Sequence, residues 1–412
     1  MVSRDVGFVG RYTLAPVSTL SILSIVFAVP AIGGVIWWAV VTIRLGRMLS
    51  TGLSLRRGLE GLPDSQSLSV VIPAYNEERV IGHCVDTLLA QDVDDLEVIV
   101  VADRCTDDTE SIVSDRAAHD SRILLIRNKE CPPSWAGKCN AARIGADHAT
   151  GDWIAFIDAD TRAAPELLRA ALNEAQRRET GLLSLLTDLE CTRWFERSTQ
   201  PVAMMALLSL FPPDAVNRDD RGRTFANGQF MLFDRDWYDK VGGHAAVKDD
   251  LLEDIAFAGK VKQAGGRVNV LRADGLLSCS MYGDRQAFMR GWMRIFLEAT
   301  KRRPGSLRKH AVRQLLLGWV IPAISVAAVV AGLGAGGFCG GLAVVAGGLS
   351  VFQQLGALVW TWQIGRQPIW SVLLYPIGSW NVYCTMRWAE KALRSGEPIK
   401  WGGREYVLEP ND

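Results

Sequence analysis

The sequence carries no excess of either charge: 45 Lys and Arg balance 45 Asp and Glu. A nucleic-acid partner normally demands a basic face, so none is expected. Paired cysteines are missing too. None of the eight stands in a C-x-x-C pair or at zinc spacing from a histidine, which removes zinc modules and any disulfide framework. Isolated cysteines are usually small packing residues, and their scatter fits a reducing compartment for the polar middle of the chain. No G-x-G-x-x-G follows the first strand-like run, and no G-x-x-x-x-G-K-[ST] occurs. A Rossmann dinucleotide site and a P-loop are therefore not expected.

Charge is also absent from residues 20–41, "LSILSIVFAVPAIGGVIWWAVV". That run is about long enough to span a hydrocarbon core. It continues into Trp37 and Trp38, which suit an interface belt, and no small-residue cleavage site follows, so it reads as a retained helix at 20–43 rather than a secretory signal. Arg44, Arg47, Arg56 and Arg57 follow it, whereas only Arg4 and Arg11 precede it. The positive-inside rule then puts segment 1–19 outside, and the linker 44–66 and the domain after it in the cytoplasm. A second apolar zone covers 315–388. Residues 315–338 and 340–362 read as two helices with a Gly-rich hinge. The third candidate, "PIWSVLLYPIGSWNVYCTMRW", is interrupted by Pro376, Gly378 and Asn381. If it spans, Arg387, Lys391 and Arg394 of the tail (389–412) lie outside, against the charge rule; a re-entrant or interfacial segment keeps them inside. Both readings stand. The chain is expected in the plasma (inner) membrane, multi-pass.

Between the apolar zones, 67–304 has an α/β rhythm. "SLSVVIPAY", "LEVIVVAD", "SRILLIRN" and "WIAFIDAD" read as strands. Between them "ERVIGHCVDTLLAQ", "DDTESIVSDRAA" (Thr106 or Asp107 as cap) and "GKCNAARIGADHA" read as helices. Near-continuous apolar strands alternating with helices imply an open, mostly parallel sheet covered on both faces. Ligands of such sheets bind outside the carboxyl ends of the strands. That rule gathers Tyr75, Asn76 and Glu77, then Asp103 and Arg104, then Asp158 and Asp160 along one rim. In an extended segment residues two apart face the same side, so Asp158 and Asp160 can approach one object. Two bare carboxylates repel unless a cation joins them. Mg²⁺ or Mn²⁺, held by one or two carboxylates and by substrate phosphates, is the natural third party; a solvated turn after a strand is the plain alternative.

"VVIPAYNEE", "VIVVADRCTDDT", "IAFIDADT" and "LLEDIAFAGKVKQAGGRV" occur in this order. Together they resemble the inverting family 2 glycosyltransferases of GT-A fold, over roughly 67–271. The resemblance implies a hexosyltransferase using a nucleotide-diphospho-sugar, with a uridine nucleotide as the family-level expectation. It implies that Pro73, Ala74, Tyr75, Glu77 and Asp103 hold the nucleoside and that Lys138 meets the diphosphate. Asp160 would take the metal, and Asp158 the donor sugar or a share of the ion. Gly228 would lie beneath the sugar. Glu253 and Asp254 form the acidic pair, with Asp254 the general base. Where the family often has Asp-Asp-Gly-Ser, this chain has Ala-Asp-Arg-Cys, so its turn differs. Processive members carry Q-x-x-R-W; "DRQAFMRGWMRIF" instead puts Gly291 between Arg290 and Trp292. That departure speaks against polymer synthesis and leaves Arg290, Trp292 and Arg294 either as phosphate or sugar contacts or as parts of an interfacial amphipathic segment over 284–304.

The many bases and aromatics of 285–310 suit anionic lipid. A lipid acceptor is therefore expected, as in the similar bacterial transferases acting on hopanoid, carotenoid or ceramide-type lipids, which the "WGGREY" tail also resembles. A polyprenyl-phosphate sugar transferase, a polysaccharide synthase and a silent nucleotide-sugar-binding protein are the alternatives.

Overall fold

The computed structural model describes residues 18–61, 66–218, 224–250, 252–401 and 404–411. Segment 1–17, with Arg4 and Arg11, lies outside the described residues, as do Gly402 and Gly403 of the tail motif. Two compact units emerge: 1–41 with 319–358, and 42–318 with 359–412.

In the larger unit, seven strands form one sheet in the order β3-β2-β1-β4-β8-β6-β9. They are β1 (Leu68–Ala74), β2 (Leu96–Asp103), β3 (Ile123–Asn128), β4 (Trp153–Ile157), β6 (Leu182–Leu186), β8 (Phe230–Asp234) and β9 (Val268–Arg272). A small sheet joins β5 (Thr161–Ala163), β10 (Leu277–Cys279) and β7 (Asp188–Leu189). The four strands expected from sequence run parallel, and β8 enters antiparallel between β4 and β6. The sheet is thus open and mostly parallel, as expected from sequence.

Side-chain alternation sorts the core. Val70, Ile72 and Ala155 face the helices Ile81–Leu89 and Leu167–Arg177. Val71, Ile154 and Phe156 face the helices Gly137–His148 and Glu253–Gln263. Both faces are dry, which explains why β1, β2 and β4 read as unbroken apolar runs. Pro73 stands beyond the last β1–β4 pair, Val71 with Phe156, where a residue that cannot donate a ladder bond is tolerated. The helix expected from "DDTESIVSDRAA" spans Thr109–Ala117 and is capped at Asp108 without a side-chain bond. Asp107 acts one residue earlier than a cap, accepting the Thr109 amide at 3.1 Å.

The chain steps outward from β1 to β2 and β3, then returns to place β4 on the other side of β1. The crevice of such a sheet opens at that divergence, beyond the carboxyl ends of the strands. β8 adds its amino end to the same place, because Ile157 pairs with Phe230 and the Asp158 amide donates to the Gln229 carbonyl at 3.3 Å.

The expected linker 44–66 is partly structured. The first helix, Thr19–Ser50, runs past residue 43, and a 3-10 helix at Leu55–Leu59 follows. Asn173 ties the latter to the helix Leu167–Arg177, donating to the Gly58 carbonyl at 2.7 Å. Three helices among the described residues are long and apolar enough to cross a membrane: Thr19–Ser50, Pro304–Ala335 and Gly337–Ile364. In the smaller unit their contact is made of small residues, Ala28 and Ala31 against Ala328, Ala343 and Ala346, with Ser325 and Ser350 bonded at 2.9 Å. Small residues let apolar helices approach closely where water supplies no driving force.

Candidate active site

A cavity of about 380 Å³ opens at the crevice. Of the residues that the sequence singles out as site candidates, all but Asn76, Arg290 and Trp292 line it. At one end β1 ends in Ala74, and Asn76 turns the chain with φ 56°. Arg104 turns the end of β2 with φ 54°, in the left-handed region that a glycine of Asp-Asp-Gly-Ser would adopt without cost. The Arg104 side chain folds back over the site. Its guanidinium lies 5.3 Å from the Tyr75 ring centre and 2.7 Å from Asp103 Oδ2, while Asn128 donates to Asp103 Oδ1 at 2.6 Å. Asp103 is buried and already satisfied by protein donors, so a nucleoside entering here also meets Arg104.

Asp158 and Asp160 both line the cavity, but not as neighbours on an extended strand. The strand stops at Ile157 and the chain turns, with the Thr161 amide and hydroxyl both donating to the Asp158 carbonyl. The turn separates their partners. Asp158 Oδ1 is ion-paired with Lys138 at 2.7 Å, whereas Asp160 Oδ1 is buried without a hydrogen-bond partner. Burial, and then Asp158, push Asp160 up to about 7. Burial, with Asp160 and Asp158 behind it, pushes Glu77 up to about 8.

Lys138 begins the helix Gly137–His148 and joins two walls of the site. Its ammonium lies 2.7 Å from Asp158 and 2.8 Å from Glu253 Oε1, and donates to the Gly228 carbonyl at 3.4 Å. Lys138, which the resemblance sets against the diphosphate, lines the cavity and ties the end of β4 to the helix carrying the acidic pair. Burial opposes both charges, yet Lys138 outweighs it at Glu253 and holds that carboxyl below its usual range, while the two acids raise Lys138.

Glu253 and Asp254 occupy the first turn of the helix Glu253–Gln263, where carboxylates also complement the helix dipole. Asp254 Oδ2 accepts the Gly228 amide at 2.7 Å, and Oδ1 accepts the Ile255 amide at 2.7 Å. Burial, and next the Glu253 charge, push Asp254 up to about 7. A side chain at Gly228 would press on the site: a Cβ would lie 3.1 Å from Lys138 Nζ and 3.2 Å from Asp254 Oδ2.

The expected interfacial segment differs from its reading. In the helix Arg285–Ala299, Phe288, Trp292 and Phe296 face inward. Trp292 donates its indole N–H to Gln200 Oε1 at 2.9 Å, so it lies inside the protein rather than beside the ligand or lipid. Gly291 breaks the processive motif because a Cβ there would collide with the Tyr282 hydroxyl. The cavity receives Tyr282, Arg294 and Ile295 instead. Arg294 follows Arg290 by one helical turn, the spacing that identifies it; its charge favours the ionised forms of Asp158 and Glu253. Sequence reasoning assigned no apolar lining. Leu207, Phe225, Leu252, Ile255, Met281 and Ile295 supply one, and Leu207 comes from a segment that carries no motif.

The stretch 69–242 matches the family model described as glycosyl transferase family 2. This stretch belongs to that family. Glu253 and Asp254 lie beyond the matched part of the family 2 domain, so their roles rest on the geometry above. A 4,4'-diaponeurosporenoate glycosyltransferase of Staphylococcus aureus is 28% identical over 232 residues, which are 55% of this chain and 60% of that protein. The chain thus spans about 60% of the length of the curated relatives it matches. Among solved structures, a Pyrobaculum calidifontis mannosyltransferase in complex with GDP-Man and Mn²⁺ is 20% identical, covering 86% of this chain and 97% of that one, with TM-score 0.46. S. aureus TarS 1–349 with UDP-GlcNAc is 16% identical, covering 83% and 96%, with TM-score 0.40. Both likenesses are too distant to carry an argument about this chain.

Proposed function

We propose that the family 2 domain transfers a sugar from a nucleotide-diphospho-sugar to a lipid acceptor, inverting the anomeric centre, with Asp254 as general base. The observation that carries this reading is the position of Asp254. Its carboxyl lies in one cavity with the strand-end acids Asp158 and Asp160, and it shares that cavity with an apolar wall. The donor's polar headgroup suits one side and an apolar acceptor the other.

The chemistry follows from these atoms. Two backbone amides hold the Asp254 oxygens, leaving lone pairs for the acceptor's proton. The proton passes to Asp254 as the acceptor oxygen bonds to the anomeric carbon. The bond from that carbon to the diphosphate oxygen breaks with its electron pair, and the nucleoside diphosphate leaves. An ionised Glu253 next to Asp254 makes it a stronger base, and a pKa near working pH is what general-base catalysis requires. Lys138 keeps Glu253 ionised without neutralising Asp254.

The residues present fit a divalent cation. Asp160 Oδ1 is a buried oxygen without a partner, and burial, with neighbouring acids behind it, raises Glu77 and Asp160. Among the described residues no group of three or more His, Cys, Asp or Glu is placed to hold a metal. Such a site suits Mg²⁺ or Mn²⁺, which accept one or two carboxylates and take substrate phosphates for the rest. Asp160 would hold the ion, with Asp158 beside it on Lys138. When bound, the ion offsets charge on the leaving diphosphate.

Three apolar helices and relatives named for 4,4'-diaponeurosporenoate support an acceptor of lipid character and a multi-pass place in the plasma membrane, with the domain in the cytoplasm. The buried Trp292 and the Gly291 break tell against a polysaccharide synthase. The test is to incubate membranes containing the protein with labelled nucleotide sugars and extract them with organic solvent. Label is expected in the lipid phase; label only in water-soluble or insoluble polymer refutes the reading.

A further inference from the structure

We infer that the segment Ile369–Trp388 does not cross the membrane but seats the catalytic unit on its surface, with side chains at headgroup depth. The inference rests on the reading that the chain is membrane-anchored, not on sugar transfer.

The inner face of this segment belongs to the catalytic unit. The helix Tyr375–Ser395 packs against the helices Trp194–Leu210, Arg285–Ala299 and Pro304–Leu315. Buried on that face are Ser379, Thr385 and Glu390. Asn381 donates to Thr199 Oγ1 at 2.9 Å, and Ser371, in the 3-10 helix Ile369–Leu374, accepts the Trp362 indole N–H at 2.8 Å. A helix crossing alone would carry Ser379, Asn381 and Thr385 into hydrocarbon, where unpaired polar groups are costly.

The outer face has the opposite character. Ile369, Trp370, Leu373, Ile377 and Trp380 are exposed, Leu373 by 78%, at spacings close to one helical turn. A soluble surface rarely concentrates such side chains. Two tryptophans of this region carry cations on their rings: Arg197 stands 5.7 Å from Trp370 and Arg285 stands 5.4 Å from Trp194. Further along the helix the exposed residues become Arg387, Trp388, Lys391 and Arg394. Apolar and indole groups beside a row of bases match an anionic lipid surface, apolar part inserted and cations on headgroups.

Chain continuity names the occupant. The helix Gly337–Ile364 is long and apolar enough to cross, and only residues 365–368 separate its end from Ile369. A segment leaving a membrane helix by so short a link starts at the bilayer surface. Lying in that surface also keeps Arg387, Lys391 and Arg394 on the catalytic side, as the charge rule requires.

The test uses the full chain in vesicles of phosphatidylethanolamine and phosphatidylglycerol. A diazirine-bearing amino acid is placed in turn at Leu373, Trp380, Val345 in the crossing helix and Leu124 on the sheet edge, and lipid adducts are scored after illumination. Adducts are expected at 373, 380 and 345 and absent at 124. In sealed vesicles, an impermeant protease that cuts the catalytic unit is expected to remove a C-terminal tag as well. A protected tag would mean that the segment crosses. Adducts at 345 without adducts at 373 and 380 would mean that another partner covers the face. No adducts even at 345 would overturn the anchoring reading together with this one, while leaving sugar transfer to its own assay.

Discussion

The backbone amide of Gly228 donates to Asp254 Oδ2 at 2.7 Å, fixing the second oxygen of a carboxyl whose first is held by the Ile255 amide. Replacing Asp254 by Asn keeps an acceptor for that amide but removes the base. Turnover in Asp254→Asn is expected to fall by about two to four orders of magnitude, the range for a lost acid–base group. Donor binding, measured by calorimetry with the nucleoside diphosphate, should survive. Near-normal turnover would remove Asp254 from the mechanism.

The pH profile tests the same residue from another side. Asp254 is raised to about 7 by burial and by Glu253. A raised carboxyl is active as a base only above its pKa, so kcat/KM for the acceptor, at saturating donor and cation, should fall by about tenfold per pH unit below neutrality. Glu253→Gln removes the charge that raises Asp254 and frees Lys138 to lower it. The acid limb in that variant is expected at lower pH. An unmoved limb would assign it to another group.

Gly228→Ala probes the close approach itself. The glycine's φ lies outside the left-handed region, so alanine meets no backbone obstacle. Its Cβ would press on Lys138 Nζ and Asp254 Oδ2 at 3.1 and 3.2 Å. A displaced base costs rate far more than stability, so kcat should drop by about tenfold to a hundredfold. Thermal unfolding should change little. A large loss of Tm with normal kcat would make Gly228 a packing residue only.

These residues also show what a sequence makes legible. β1, β2 and β4 announce themselves because both faces are buried, leaving unbroken apolar runs that end in polar rim residues. Asp158, Asp160 and Asp254 were legible through the order of their motifs. The partners of Lys138 were not, because Asp158 and Glu253 meet it only when β4 and the helix Glu253–Gln263 converge. Trp292 misled for a related reason. Spacing shows that a helix has an apolar stripe, but not whether lipid or Gln200 lies against it. The apolar wall had little signal: Leu252 and Ile255 flank the acidic pair in its motif, but Leu207 differs from a core residue only in facing the cavity.

Asp160 carries the cation prediction. Its Oδ1 has no hydrogen-bond partner, so Asp160→Ala removes the proposed ligand at the cost of the carboxyl's bond with the Cys279 thiol. Titrating nucleoside diphosphate with and without Mn²⁺ should show tighter binding with the ion in the parent protein and no such gain in the variant. An intact gain would move the ion elsewhere.

Lys138 tests whether the two walls are held electrostatically. Lys138→Met leaves Asp158 and Glu253 facing each other without their shared cation. Breaking a fully buried pair costs about 3–5 kcal/mol, but Lys138 and Asp158 keep 27% and 29% of their side chains open to the cavity. The expected loss is therefore smaller, about 1–3 kcal/mol, the range for a polar group left unsatisfied. Chemical denaturation measures it. The double variant Lys138→Met with Asp158→Asn should recover part of that loss, since one of the stranded charges is gone. Additive losses would show that the two residues do not communicate, and Lys138 would then be a helix-start lysine with no part in joining β4 to the acidic pair.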